Sequence, residues 1–211
     1  MELNAQEARV FRITHIANVG WLLKNGLHCR SSGHTDPDFV TIGNPELIER
    51  RDSRRVPIPP EGTLSDYIPF YFTPHSMMMY NIATGYGGIR RCANSDIVIL
   101  VARLRHVVQH GASVVFTDRH AYLRTARYFS SMDDLDEIDW ALLQGRDFKR
   151  DPDDPEKTDR YQAEALIHRY LPVEHLAGMV CHGEKEMKQL ERDLRIAHAR
   201  IKVAAVPSCY F

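Results

Sequence analysis

The 211-residue sequence has no apolar run long enough to cross a bilayer. Its longest, Ile97-Val98-Ile99-Leu100-Val101-Ala102, falls far short of the about 20 residues of a spanning helix. The amino terminus, MELNAQEARVF, carries no basic segment ahead of an apolar one, so no secretory signal is read. Cysteine is scarce. Cys29, Cys92, Cys181 and Cys209 form no C-x-x-C pair, which argues against a disulfide or zinc framework and for free thiols in a reducing cytoplasm. Net charge is nearly absent, at −1 from 27 basic and 28 acidic residues. That removes any global electrostatic case for nucleic-acid binding. There is no G-x-G-x-x-G after a strand, no P-loop and no G-x-S-x-G elbow, so the chemistries tied to those motifs are not indicated. His34-x-Asp36-x-Asp38 lacks the spacing of a closed zinc site, and no metal is expected. The expectation is one domain over residues 1–211, cytoplasmic, monomeric and without membrane attachment.

What is present is irregularly mixed. Val10 to His15 alternates as a strand, and Ile16 to Asn25 has helical spacing closed by Gly26 as a stop. Ser31 to Gly43 is polar and aperiodic and predicts a long mobile loop. Asn44-Pro45 is a cap followed by proline at the first helical position, predicting a helix to about Ser53. Strands are predicted at Tyr67–Phe72, Asp96–Leu104, Ser113–Thr117, Gly178–Cys181 and Ile201–Val206. Helices are predicted at Ser76–Ala83, Asp133–Leu143 and Glu184 to about Arg200, with a loop from Gly145 to Asp159. Such a succession fits an α+β fold better than regular βαβ units.

Glu164, in RYQAEALIH, is ambiguous by periodicity. A strand is preferred, because a long loop precedes it and Gly178–Cys181 follows at hairpin-like distance. It would then share a face with Leu166 and His168. Other candidates stand at element ends. His15 closes a strand, Thr117-Asp118-Arg119-His120 follows a buried one, and Arg50, Arg51, Arg54 and Arg55 crowd the Asn44 helix, where guanidiniums suit phosphate. Charge alone reads those arginines equally well as solvated. Tyr67, Phe70, Tyr71 and Phe72 could stack on a ring, or simply pack.

Four stretches give these parts a common meaning: FRITHIANVGWLLKNGL, IERRDSRRVPIPPEGTLSDYIPFYFTPHSMMMY, VVFTDRHA and RYQAEALIHRYLP. In order, and across nearly the whole chain, they resemble the DarT-type DNA ADP-ribosyltransferases, toxins of bacterial toxin–antitoxin pairs. The resemblance implies an ADP-ribosyltransferase-like split mixed sheet with surrounding helices and a central NAD cleft. It implies transfer of ADP-ribose from NAD to thymidine in single-stranded DNA, with nicotinamide released, and a DarG-type macrodomain antitoxin as partner. By position in the family pattern, Glu164 and Arg51 are the catalytic pair, and a mobile turn-turn loop lies within Gly145 to Gln162. His15, Thr14, Asn18, Gly26, Leu27, Arg51 and Tyr71 would meet NAD. His120, Arg54, Arg119, His75 and Met78 would meet DNA. One departure falls at Pro74-His75-Ser76-Met77-Met78-Met79-Tyr80, where the family's basic position is histidine. The rivals are the same fold with a guanine, RNA or protein acceptor, and an idle single-stranded nucleic-acid-binding domain in which Glu164 and Arg51 form only a structural ion pair.

Overall fold

A computed structural model describes residues 2–211. Among them ten strands occur in chain order: β1 (Arg9–His15), β2 (Leu27–His28), β3 (Tyr67–Tyr71), β4 (Ile97–Arg103), β5 (Val114–Thr117), β6 (Tyr128–Phe129), β7 (Glu164–His168), β8 (Tyr170–Leu171), β9 (Leu176–Cys181) and β10 (Lys202–Ala205). The α-helices are α1 (Val19–Asn25), α2 (Pro45–Arg50), α3 (Met77–Thr84), α4 (Leu104–Gln109), α5 (Trp140–Gly145), α6 (Lys157–Arg160) and α7 (Glu184–Ala197). Eight strands form one sheet in the order β10-β9-β4-β1-β3-β7-β5-β6, and β2 and β8 pair apart from it. The sheet is mixed, because β10 and β9 run parallel while the other pairings are antiparallel.

The seam between β1 and β3 divides this sheet. β1 and β4 pair along seven positions, and β3 and β7 along five, but β1 meets β3 only at Phe11 opposite Tyr71. Pro69 sits in β3 and has no N–H to give a ladder. The Arg12 side chain bridges the gap instead, donating to the Pro69 carbonyl at 2.9 Å. Two half-sheets therefore splay apart at their middle, and a cleft opens there.

The core comprises two apolar clusters, the larger of which takes residues from both faces of β4. The larger holds Phe11, Phe70, Ile97, Ile99, Leu100, Ala165, Ile167 and Leu190, and the smaller holds Val56, Leu64, Tyr67, Val115, Ala121 and Leu166. Alternate residues of β7 thus enter different clusters, as strand geometry requires. Glu164 lies on the Leu166 face, toward the segment that follows α2.

Most predicted elements form, with local differences. Ile16–Asn25 divides into a 3-10 turn, Ile16–Asn18, and α1. The Asn44 helix is α-helical only to Arg50 and tightens into a 3-10 turn over Arg51–Ser53, its Asn44 side chain accepting the Leu47 N–H. Met132–Glu137 is a 3-10 segment separated from α5 by Ile138 and Asp139. α7 stops at His198 in the left-handed region rather than reaching Arg200. The expected hairpin between β7 and β9 does not exist. β4, β1 and β3 lie between them, because Pro172 and a 3-10 turn at Val173–His175 carry the chain away from β7 to the other half-sheet.

Candidate active site

Four sequence-distant segments meet at Glu164, which is 1% exposed. β7 brings the glutamate opposite Tyr71 of β3. The 3-10 turn after α2 brings Arg51, whose Nη1 donates to Glu164 Oε2 at 3.0 Å. The turn after β5 brings the Ala121 N–H, which donates to Oε1 at 3.0 Å. β5 itself ends in Thr117, whose Oγ1 accepts the Glu164 backbone N–H at 3.3 Å. Both carboxylate oxygens and the main chain of the residue are thereby fixed.

These contacts set the charge state. Burial alone would push the Glu164 carboxyl up. The Arg51 guanidinium first, then the nearby His120 and the Ala121 N–H, outweigh that and hold it below the usual carboxylate range. Burial and then the neighbouring carboxylate drive the Tyr71 hydroxyl well above the ordinary phenol range, so it stays protonated. His120 is pushed down by burial. Its Nδ1 accepts the Tyr122 N–H at 3.2 Å and lies 3.9 Å from Glu164 Oε1. The ring is therefore neutral, with its proton on Nε2, and it does not pair with Glu164 as an ion.

The turn carrying Ala121 is itself fastened. Arg54 Nη2 donates to the Leu123 carbonyl at 2.7 Å, and the Tyr128 hydroxyl to the Ala121 carbonyl at 2.6 Å. Asp118, buried beneath the turn, accepts the Arg127 N–H at 3.0 Å and its Nε at 2.9 Å.

From Arg51 a cleft of about 480 Å³ runs along the β1–β3 seam, a size suited to a nucleotide-like ligand. Arg12, Thr14, Arg51, Ile68 and Pro69 line it, with Trp21, Leu27, His28, His34 and Phe39 among its other walls. The rings of Trp21, His28, His34 and Tyr170 form a contiguous group, with centroids 4.4 to 6.0 Å apart. Arg51 Nη2 is buried and has no partner among the described residues. An orphaned cationic donor beside an open cleft is a place for a ligand oxygen.

Thr14, Leu27 and Arg51 line the cleft, and Tyr71 lies beneath it against Glu164. His15 caps the following 3-10 turn through Nδ1, which accepts the Ala17 N–H at 3.2 Å and leaves Nε2 free. Asn18 is buried, donating to the Val40 carbonyl at 2.9 Å and to the Thr14 hydroxyl at 3.1 Å and accepting the Val40 N–H at 2.8 Å. It holds the Ser31–Gly43 loop down rather than presenting itself to the cleft. Gly26 closes α1 at φ 78°, where a Cβ would lie 2.5 Å from the Tyr170 ring; its role is to admit that ring.

Among the residues expected at DNA, His120 stands at Glu164. Arg54 holds the Leu123 carbonyl, and Arg119 is paired with Asp118 and with Glu156 at 3.2 Å. His75 is elsewhere, 4% exposed, bonded through Nε2 to the Ser208 carbonyl and packed on Phe211. Met78 packs against the main core. The Gly145–Gln162 loop is stapled by Lys157 to Asp147 at 2.8 Å and by Arg160 to Asp154 at 2.6 Å. Arg12, the Ala121 N–H and Tyr128 escaped the sequence reading. A backbone donor carries no sequence signal, and nothing in Arg12-Ile13-Thr14 marks its arginine as inward-facing.

Residues 11–211 match the family model described as "ssDNA thymidine ADP-ribosyltransferase, DarT". A DNA ADP-ribosyl transferase of Escherichia coli O127:H6 is 49% identical over 209 residues, 99% of this chain and 96% of the relative. One from Thermus sp. is 37% identical over 189 residues, 88% of this chain and 87% of the relative. Among solved structures, Thermus sp. 2.9 DarT in complex with ADP-ribosylated ssDNA superposes with a TM-score of 0.91 at 29% identity, covering 100% of this chain and 99% of the other. The same Thermus protein with NAD+ superposes at 0.84, covering 98% of each chain.

Proposed function

The chain belongs to the DarT family of single-stranded-DNA thymidine ADP-ribosyltransferases, and from that premise we propose that it transfers ADP-ribose from NAD to thymine in single-stranded DNA with Glu164 and Arg51 at the reacting centre. The relatives supply the substrates, because Thermus DarT is seen with NAD+ and with ADP-ribosylated ssDNA. The observation that carries the assignment of residues is the ionised, almost inaccessible Glu164 carboxylate, held by Arg51.

The chemistry follows from that carboxylate. Cleavage of the nicotinamide–ribose bond releases neutral nicotinamide with the bonding electron pair and leaves oxocarbenium character on the ribose. A carboxylate that accepts a hydrogen bond from the adjacent 2′-hydroxyl stabilises that cation, as in glycoside cleavage. A thymine ring nitrogen then forms the new bond to the ribose carbon and loses its proton. Glu164 and Arg51 are the titratable groups placed to assist. His120, protonated on Nε2, meets the incoming nucleotide as a donor. The fixed carboxylate needs no reorientation when charge develops, which is the condition under which electrostatic stabilisation is largest.

A neutral protein requires only a local patch to hold a short single strand, whose unpaired base can be read on its edge and stacked. His120, with Arg54 and Arg119 around the turn after β5, supplies that patch. A macrodomain antitoxin of DarG type is the proposed partner, and a monomer in the cytoplasm the proposed state. None of the described helices is long and apolar enough to cross a membrane.

The test is incubation with NAD and thymine-containing single-stranded oligonucleotides, followed by oligonucleotide mass measurement. An added ADP-ribose that is lost in Glu164→Ala supports the assignment. NAD consumption without an adduct on single-stranded DNA would move the acceptor elsewhere. Neither NAD binding nor turnover would leave only a binding domain.

A further inference from the structure

The floor of the cleft holds more positive charge than its carboxylate neutralises. Arg12 and Arg51 both line it, and Glu164 is the carboxylate beneath them. Glu164 is committed to Arg51 by the 3.0 Å bond. Arg12 makes no salt bridge among the described residues, and its one hydrogen bond runs from Nη1 to the Pro69 carbonyl. Arg12 is itself a lining residue of the cleft, and none of its other N–H groups is bonded to a carboxylate among the described residues. Burial first, then the nearby Arg51 charge, bring the Arg12 guanidinium down to about 10. The other acids lining the cleft, Asp36 and Glu49, lie on the outer loop and on α2, and Glu49 is exposed to solvent. Arg12 is half-buried, and a partly desolvated guanidinium without a counterion is favoured by an anion that a ligand brings.

We infer that Arg12 is a binding residue for the diphosphate of NAD, leaving Arg51 to the ribose end where it is already tied to Glu164. The inference rests on the NAD reading above and divides the work between Arg51 and an arginine of β1 that the sequence does not mark. Position supports it. Arg12 and Thr14 are alternate residues of β1 and so share the face that opens on the seam. The Pro69 bond fixes one edge of the guanidinium and leaves the opposite edge as a planar pair of donors, the geometry that suits phosphate oxygens. Arg51 lines the same cleft, and its buried Nη2 has no hydrogen-bond partner among the described residues, so an anion between the two arginines would meet donors from both.

The experiment compares the unmodified protein with Arg12→Gln and Arg12→Lys. Calorimetry measures ADP-ribose binding at several NaCl concentrations, and steady-state kinetics vary NAD at saturating oligonucleotide. Arg12→Gln is expected to weaken ADP-ribose binding at least 10-fold, flatten its salt dependence and raise KM for NAD. kcat should change far less. Arg12→Lys keeps the charge but not the planar fork. It should recover part of the affinity and the salt dependence, and it serves as the folded test should the glutamine variant lose the seam. Unchanged ADP-ribose affinity in both variants overturns the inference while leaving NAD as substrate. So does a fall in kcat at constant KM, which would mark Arg12 as a support of the sheet only. Failure of the unmodified protein to bind ADP-ribose would instead remove the NAD reading, and this inference with it.

Discussion

Arg51 and Glu164 share a 3.0 Å hydrogen bond at the floor of the cleft although 113 residues separate them in sequence. The pair is asymmetric. The glutamate has both oxygens engaged, whereas Arg51 keeps one buried nitrogen without a partner among the described residues. Removing the carboxylate therefore exposes an uncompensated cation. Glu164→Gln should reduce DNA modification by about 100-fold or more and destabilise the fold by about 2 kcal/mol, less than for a fully enclosed pair because Arg51 borders the open cleft. Adding Arg51→Met to that variant should restore the melting temperature without restoring activity. Thermal denaturation with oligonucleotide mass measurement checks both, and a double variant no more stable than the single one contradicts this account.

The turn after β5 predicts a subtler effect. Tyr128 and Arg54 hold the Ala121 and Leu123 carbonyls, and through them the Ala121 N–H on Glu164. Tyr128→Phe removes a single oxygen. The carboxylate should then lose part of the stabilisation of its ionised form, moving the acid limb of the pH–rate profile to higher pH and lowering kcat several-fold. KM for NAD should hold, since Tyr128 does not line the cleft. An acid limb that does not move would show that the turn does not tune the glutamate.

Asn18 makes a third case. With both amide atoms on Val40 it latches the Ser31–Gly43 loop over the cleft wall. Asn18→Ala should leave the Val40 main chain unsatisfied, at about 1–3 kcal/mol, and open the loop. Hydrogen exchange at Val40 and proteolysis within residues 31–43 should both accelerate, with saturating NAD slowing them again. Unchanged exchange would mean the loop is held by other contacts.

Buried histidines fix the direction of a pH effect on stability. Burial pushes both His75 and His120 below their ordinary values. The unfolded chain takes up these protons at about pH 6.5, while the folded protein takes them up only at lower pH. Their contribution is therefore complete above about pH 6.5 and lost as pH falls through it toward the folded values. The melting temperature should drop between pH 7.5 and 5.5. His75→Gln, which keeps a donor for the Ser208 carbonyl, should make that drop shallower. An equal drop in the variant would assign the effect elsewhere.

The local patterns that sequence carries best were those with a stereochemical cause. The Asn44-Pro45 cap, the Gly26 stop and the alternation that sends Glu164 and Leu166 to one face of β7 all appear as expected. What could not be read was partnership over distance. Gly178–Cys181 looked like a hairpin mate for β7 because it came next, yet β9 pairs with β4 and β10 in the other half-sheet. The arginines behaved likewise. Arg51, Arg54 and Arg119 were recognisable as a basic group, but only the fold shows that the first meets a carboxylate, the second a loop carbonyl and the third Asp118 and Glu156. Arg12 went unnoticed because an inward arginine on a strand has the same sequence as an outward one.

The convergence of four distant segments on Glu164 has a consequence for the cell that makes this chain. Synthesis runs from the amino terminus, and domains fold as units while it proceeds. Arg51 leaves the ribosome long before its partner, and the strands β9 and β10, which complete the half-sheet around β1, come later still. A chain interrupted before residue 164 contains Arg12 and Arg51 but lacks both β7, which pairs with β3, and the carboxylate proposed to act on the sugar cation. On the assignment proposed above, translation products that stop before Glu164 should therefore be inactive.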